Sequence, residues 1–124
     1  MRLRRSRIQK YFLKNKIVNK GTEGNVFETY GEPKNFYAEI WPAGGEVQAK
    51  TYGEKLSYIF NVRIKGSYII TPDYKNILHY IFSDGLDISE GDGVCLFVPD
   101  TAEPDYKIIS IKPYRYLALE VEKL

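Results

Sequence analysis

Few residues of this chain could support catalysis. His79 is the only histidine and Cys95 the only cysteine, so neither a histidine metal cluster nor an internal disulfide can form within one chain. A Cys95–His79 pair is conceivable, but Cys95 lies in the apolar run VCLFV, where a buried thiol is typically inert. We therefore expect no enzymatic activity, no metal and no cofactor.

Acidic residues cluster at Asp84, Asp87, Glu90 and Asp92. Their spacing lacks the alternating ligands and the final bidentate glutamate of an EF-hand calcium loop. The glycines between them are typical of tight turns, in which aspartate side chains accept hydrogen bonds from nearby backbone N–H groups. The pattern predicts a double turn over residues 84–93 rather than a calcium site.

Positive charge is concentrated at the start of the chain. Eight of the 18 basic residues precede all 16 acidic residues. Two functional interpretations of Arg2, Arg4, Arg5 and Arg7 stay open: contact with DNA phosphates, or pairing with acidic residues of a neighbouring subunit, such as those at 84–92. A third interpretation of the basic region is the solvated face of an exposed edge strand, protected by charge against aggregation.

Hydrophobic alternation predicts short strands along most of the chain. The predicted strands are Ile8–Val18, Val26–Tyr30, Asn35–Trp41, Ile59–Ile64, Tyr68–Ile70, Val94–Val98, Tyr106–Lys112 and Tyr116–Val121. Val94–Val98 is apolar throughout, as in a central strand buried on both faces, whereas Tyr74–Phe82 fits either a helix or a strand. The pattern predicts one all-β domain over residues 1–124, a small barrel or sandwich with at most one short helix.

A long connection separates the strand that ends near Trp41 from the strand that begins near Ile59. It mixes apolar, polar and glycine residues without a clear period. Connections of this length in small domains are usually functional or disordered, so we predict a long protruding loop that orders against a partner. The residues assigned to this assembly loop are Trp41, Pro42, Ala43, Gly44, Gly45, Glu46, Val47, Tyr52, Gly53, Leu56 and Tyr58.

The run AEIWPAGGEVQAKTYGEKLSY, which ends at Tyr58, resembles the head-closure (head–tail connector, or head-completion) proteins of long-tailed bacteriophages and prophages, in particular the PBSX-like prophage branch. A weaker resemblance covers Ile88–Asp92, Glu103–Ile108 and Tyr116–Val121. The resemblance implies a small β-barrel in a ring beneath the portal and its adaptor. Such a ring closes the DNA-filled head and presents a docking surface to the tail.

The resemblance also implies the partners: further copies of this chain in a ring, the portal–adaptor ring, a tail-completion protein and, transiently, packaged DNA. The expected location is the virion neck, after synthesis in the bacterial cytoplasm. The alternative is a stand-alone nucleic-acid-binding barrel, in which the N-terminal arginines contact phosphates while Tyr11 and Phe12 stack on bases. No apolar run is long enough to span a membrane, so we expect no membrane contact.

Overall fold

The computed structural model describes residues 8–20, 24 and 26–124. The strands are β1 (Gln9–Lys14), β2 (Lys16–Lys20), β3 (Val26–Tyr30), β4 (Lys34–Pro42), β5 (Ile59–Ile64), β6 (Tyr68–Pro72), β7 (Leu78–Phe82), β8 (Asp87–Ile88), β9 (Gly93–Cys95), β10 (Tyr106–Pro113) and β11 (Leu117–Lys123). Between β4 and β5 lie the helix α1 (Gly45–Tyr52) and a 3-10 helix (Gly53–Tyr58).

A closed barrel forms the centre of the fold, with the strand order β1-β4-β5-β11-β10-β9. Alternation along the strands produces its core: Leu117, Leu119 and Val121 of β11 are at most 1 % exposed, as are Val62 and Ile64 of β5. Residues between them face outward because successive side chains of a strand point to opposite faces. The predicted all-β fold with a small barrel is confirmed.

The described residues also form two smaller sheets: a two-stranded sheet, β2-β3, and a three-stranded sheet, β6-β7-β8. Tyr80, Phe82 and Ile88 of the three-stranded sheet belong to the same hydrophobic cluster as the barrel interior. This sheet is therefore packed onto the barrel, although no strand ladder connects the two.

The predicted strand Ile8–Val18 is in fact two strands, separated at Asn15. Asn15 Nδ2 donates to the carbonyl oxygen of Asp87 at 2.8 Å and to Asp92 Oδ2 at 3.0 Å, and Lys16 N donates to Asp92 Oδ1 at 2.9 Å. These bonds redirect the chain from the barrel into the β2-β3 sheet. β1 pairs with both β4 and β9, so the interpretation of an exposed edge strand is wrong for this half.

The ambiguous segment Tyr74–Phe82 is a turn followed by β7. Asp73 Oδ1 accepts hydrogen bonds from Lys75 N at 2.7 Å and Ile77 N at 3.0 Å. Asn76 has a positive φ of 63°, a conformation that asparagine tolerates better than most residues. Aspartate and asparagine turn chemistry therefore overrides the helical spacing of the apolar residues.

The apolar run Val94–Val98 is a strand only at its start. Val94 and Cys95 are buried as predicted, but β9 ends at Cys95, and Phe97 is 63 % exposed. Both carboxylate oxygens of Asp105 accept backbone N–H bonds, from Leu96 at 2.9 Å and from Phe97 at 3.0 Å. This carboxylate accepts the N–H bonds that a neighbouring strand would otherwise accept. The prediction of a five-residue buried strand was therefore wrong.

Candidate functional site

The residues predicted to form a protruding assembly loop fall in several elements. Trp41 and Pro42 end β4, and Ala43 N donates to the carbonyl oxygen of Ile59 at 3.0 Å. Gly44 precedes α1. The others lie in α1 (Gly45, Glu46, Val47, Tyr52) and in the 3-10 helix (Gly53, Leu56, Tyr58). The segment predicted as a long protruding loop is therefore a helical connection between β4 and β5.

Local interactions start and stop α1. Gly45 at its first position has φ 85°, and Gly53 just after its last residue has φ 55°, values that favour glycine. Gly53 N donates to the carbonyl oxygen of Ala49, which satisfies one of the free carbonyls at the helix end. Glu46 and Lys50 form an ion pair at 3.4 Å, one helical turn apart and with charges that complement the helix dipole.

The connecting segment, Gly44–Tyr58, contains no buried residue. Val47 is 75 % exposed and Tyr58 54 %, while Tyr52 and Leu56 are half-buried. Helices are usually held to a domain by a buried apolar face. Of the apolar side chains in this segment only Tyr52 and Leu56 are partly covered, so polar contacts contribute much of what holds it in position.

A polar clasp, formed by Gln48, Tyr52, Asn61 and Glu120, holds α1 against the outside of the barrel. Gln48 Nε2 donates to Asn61 Oδ1 at 2.6 Å and to Glu120 Oε2 at 2.8 Å. The Tyr52 hydroxyl donates to the Glu120 carboxylate. Asn61 of β5 and Glu120 of β11 are direct cross-strand partners, so the barrel ladder itself positions the groups that receive the helix.

Glu120 is the centre of the clasp, with 5 % of its surface exposed and Lys112 Nζ 3.5 Å from its Oε1. Burial by itself raises the pKa of the Glu120 carboxyl, but hydrogen bonds from Gln48 and Tyr52 and the Lys112 charge outweigh it and lower the pKa. Burial and the nearby Glu120 charge raise the pKa of Tyr52 to about 12. A carboxylate with a lowered pKa stabilises the fold above its unfolded pKa, and this contribution is lost as pH falls through the folded pKa.

Sequence reasoning missed Gln48, Asn61 and Glu120. The available signal was the single charge inside the apolar strand LALEV, which alternation places on an outward, solvated face. Glu120 is instead buried, and one of its contacts comes from Gln48, 72 residues earlier in the chain. A contact of that separation has no local signature.

The predicted DNA or subunit contacts Arg2, Arg4, Arg5 and Arg7 lie outside the described residues. The aromatic residues Tyr11 and Phe12, which the nucleic-acid-binding alternative assigns to base stacking, do lie within the described residues. Tyr11 is 6 % exposed and its ring centroid lies 6.0 Å from that of Phe36 in the core. Tyr11 therefore has no free face for a base, and its predicted stacking role is wrong.

Carboxylates of the acidic segment 84–92 accept hydrogen bonds from its own backbone. Asp84 Oδ1 accepts a hydrogen bond from Leu86 N at 3.1 Å, and Asp92 Oδ2 accepts one from Ser89 N at 2.9 Å, as the turn interpretation predicted. Asp92 is 4 % exposed, and burial raises its pKa. Asp92 therefore offers no surface to a neighbouring subunit. Asp84 and Glu90 are exposed, so pairing of a neighbouring subunit with the surface around 84–92 stays a prediction for those two carboxylates.

His79 lies between two carboxylates. Its Nδ1 is 2.9 Å from Asp87 Oδ1 and its Nε2 is 3.2 Å from Asp73 Oδ2. Ser89 Oγ is 3.1 Å from Nδ1 and also donates to the carbonyl oxygen of Leu78 at 3.2 Å. These contacts tie the turn after β6 to β8 and its following turn, across β7.

This cluster contains the residue types of a serine nucleophile site without its geometry. A base must offer the serine a ring nitrogen with a free lone pair. Here Nδ1 faces Asp87 more closely than Ser89, and Nε2 faces Asp73. Cys95 is cross-strand to Phe12 in the barrel wall, and burial raises the pKa of its thiol. The contacts of His79 support a structural clamp rather than a nucleophile activated by this imidazole.

The His79 clamp predicts a pH dependence of stability. The hydrogen bond to Asp87 raises the pKa of His79, with burial opposing and Asp73 adding to the effect. Stabilisation is therefore complete below the unfolded pKa of about 6.5 and is lost as pH rises through the folded pKa. We expect the difference in melting temperature between the wild type and His79→Gln to decrease as the pH is raised from weakly acidic to alkaline. Parallel profiles, or an imidazole NMR titration below the unfolded value, would contradict this.

Comparison with known proteins provides no relative: no protein-family model, no curated protein and no solved structure matches this chain. Among the described residues, no group of histidine, cysteine, aspartate and glutamate side chains could hold a metal ion. Over the same residues, no helix has the length and apolar character needed to cross a membrane.

Proposed function

We propose that this protein is a structural subunit of a virion neck, which closes the DNA-filled head of a long-tailed phage or prophage and joins the portal–adaptor ring to the tail. In this role it has no catalytic activity and forms a ring with further copies of itself. The ring contacts a tail-completion protein on one side and packaged DNA transiently. The sequence resemblance over the connecting segment is the first support for this proposal.

The observation that carries the proposal is the manner in which the connecting segment is held. It lies outside a closed barrel, buries none of its own residues and is fixed by the polar clasp. Val47 and Tyr58 therefore present apolar surface at a defined position. Apolar side chains that are already held in place lose little conformational freedom on binding, which suits a contact with a protein partner.

Ring formation requires a heterologous contact, in which one patch of a subunit meets a different patch of its neighbour. The connecting segment supplies a protruding patch, and the closed barrel supplies a support with no free strand edges of its own. Trp41, at the end of β4, has the Arg63 guanidinium 5.2 Å from its ring. This stacked pair extends the candidate contact surface from the helices onto the barrel wall.

A docking experiment with a matched control tests the proposal. Isolated portal–adaptor rings are mixed with the wild type, with Val47→Asp and with Val18→Asp. Val47 is 75 % exposed in α1 and Val18 is 58 % exposed in β2. Both changes place the same charge on the surface, but only one lies in the proposed contact.

We expect the wild type to bind the rings and Val47→Asp to bind at least about tenfold more weakly, since desolvating a new charge at a contact costs more than about 1.4 kcal/mol. Val18→Asp should bind as the wild type does. Val47→Asp should melt at the temperature of the wild type, whereas Val18→Asp should melt somewhat lower, because its new carboxylate stands opposite Glu28 of β3. Failure of the wild type to bind the rings would overturn the assignment. Tight oligonucleotide binding by the monomer would instead support the nucleic-acid alternative.

A further inference from the structure

Strand β6 forms one edge of the three-stranded sheet, and its sequence YIITP contains no charge. Ile69 is 64 % exposed and Ile70 45 %, and Thr71 and Pro72 are also exposed. We propose that β6 pairs, antiparallel and with two-fold symmetry, with β6 of a second copy of this chain. This contact goes beyond the proposed neck function, because a two-fold pair is not the heterologous contact of a ring.

The hydrogen bonds around β7 show which backbone groups of β6 point outward. Asp73 N donates to the carbonyl oxygen of Ile77 at 3.0 Å, and the register pairs Ile70 with Tyr80 and Pro72 with Leu78. Since hydrogen-bonded and non-bonded pairs alternate in an antiparallel ladder, residues 71 and 69 bond to β7. Residues 68, 70 and 72 therefore direct their backbone groups away from it.

The other side of β7 gives the same result. Phe82 N donates to the carbonyl oxygen of Leu86 at 2.8 Å, so residue 82 bonds towards β8 rather than towards Tyr68. Among the described residues, no backbone hydrogen bond outside the strand ladders involves Tyr68–Pro72. Pro72 occupies an outward position, where its missing N–H costs no ladder bond. The free groups of the edge are thus the N–H and C=O of Tyr68 and Ile70 and the C=O of Pro72.

These groups are complementary to themselves under a two-fold axis at Ile70. Ile70 and Ile70 of the second copy then stand opposite each other and exchange both of their backbone hydrogen bonds. Tyr68 N of each copy donates to the carbonyl oxygen of Pro72 of the other, so the proline leaves no donor unpaired in the partner strand. Only carbonyl groups remain without a bond at the ends of the pair, where water can reach them.

The side chains favour the same partner. A two-fold axis places identical residues near one another, and like charges directly opposite are destabilising. The other described free edges carry charges: Lys16 in β2, Glu28 in β3 and Asp87 in β8. Native edges are commonly protected by such charges. β6 has only its terminal Pro72 as protection. Pairing of β6 with β6 of the second copy would join the three-stranded sheets of the two copies into one continuous sheet.

Charge exchange at residue 70 tests the contact in the full chain. Sedimentation velocity is measured over a range of concentrations for the wild type, Ile70→Lys, Ile70→Glu and an equimolar mixture of the two variants. We expect a reversible wild-type dimer, at least about tenfold weaker association of each variant alone because like charges face each other, and recovery in the mixture because opposite charges do. A matched control, Ile77→Lys, changes a comparably exposed isoleucine (48 %) outside β6 and should leave the dimer unchanged.

Amide exchange of the wild type provides a second test that does not depend on any variant folding. Ile70 N–H should exchange fast at low concentration and slow down as the concentration rises, whereas Ile69 N–H should be protected throughout by its bond to β7. A chain that stays monomeric with fast exchange at Ile70 would overturn the proposal. So would a dimer that the Ile70 variants do not weaken, or a monomeric chain that captures a foreign extended peptide at β6.

Discussion

Asp92→Ala is expected to lower the free energy of unfolding by about 3 kcal/mol, because each polar donor left without its acceptor costs about 1 kcal/mol or more. The donors are the backbone N–H groups of Lys16 and Ser89 and the side-chain amide of Asn15. Together they fix the point at which β1 passes into β2 and the turn that follows β8. A loss of this size is a large fraction of the stability of a small domain.

Urea denaturation of a matched series measures this effect. Asp92→Asn keeps one acceptor oxygen, so we expect an intermediate loss, with the Oδ2 bonds from Ser89 and Asn15 retained and the bond from Lys16 lost. Asp84→Ala is the control, since Asp84 is an exposed carboxylate in the turn before β8 and, among the described residues, its side chain accepts a bond only from Leu86 N. Its cost should stay below about 1 kcal/mol. Equal losses at Asp84 and Asp92 would contradict the internal role assigned to Asp92.

The barrel was predictable because apolar residues alternate with outward-facing residues along its strands, and this alternation shows which side chains are buried. In β11, Leu117, Leu119 and Val121 alternate with outward residues, and this period survives in the structure with little distortion. The hairpin of β10 and β11 follows from the same alternation on both sides of Pro113. Local pattern is sufficient wherever one face of a strand is buried by its own sheet.

The connecting segment was not predictable as a helix from hydrophobic period, because no apolar face holds it. Its helical signals were weaker ones: the Glu46–Lys50 spacing and a glycine just after the last helical residue. The contacts that fix its position come from Asn61 and Glu120 on other strands. Similarly, β9 is shorter than its apolar run because Asp105, in the connection that follows this run, accepts hydrogen bonds from the backbone N–H groups of Leu96 and Phe97.

The His79 clamp illustrates the same limit. Its carboxylates come from the turn before β7 and from β8, and neither spacing has a motif that would identify the pair from sequence. Asp73 is a turn residue whose Oδ1 accepts hydrogen bonds from the backbone N–H groups of Lys75 and Ile77. Its second oxygen then faces the His79 ring. Sequence patterns identify turn residues well but not the further partners that a turn brings together.

Replacement of the connecting segment Gly44–Tyr58 by Asn-Gly is expected to abolish head closure while the barrel still folds. Ala43 N already donates to the carbonyl oxygen of Ile59 at 3.0 Å, which is one of the two bonds of the residue pair that flanks a two-residue hairpin turn. The second bond, from Ile59 N to the carbonyl oxygen of Ala43, becomes possible once Ile59 N loses Leu56 as its acceptor, and Asn-Gly is the preferred sequence for such a turn. No buried side chain is removed. Glu120 loses its bonds from Gln48 and Tyr52 but gains water, so we expect a stability loss of no more than about 2 kcal/mol.

The functional readout is electron microscopy of induced particles, in which filled heads should leak DNA or lack tails. A full-length variant, Gln48→Ala with Glu120→Gln, serves as the control, because it opens the polar clasp but keeps Val47 and Tyr58. If the exposed side chains make the contact, this control should still close heads, with weaker docking because the segment must be ordered on binding. If only the anchored position matters, it should fail as the truncation does. Normal particles from a well-folded truncated protein would show that the connecting segment is not the assembly surface, and the neck assignment would lose the observation on which it rests.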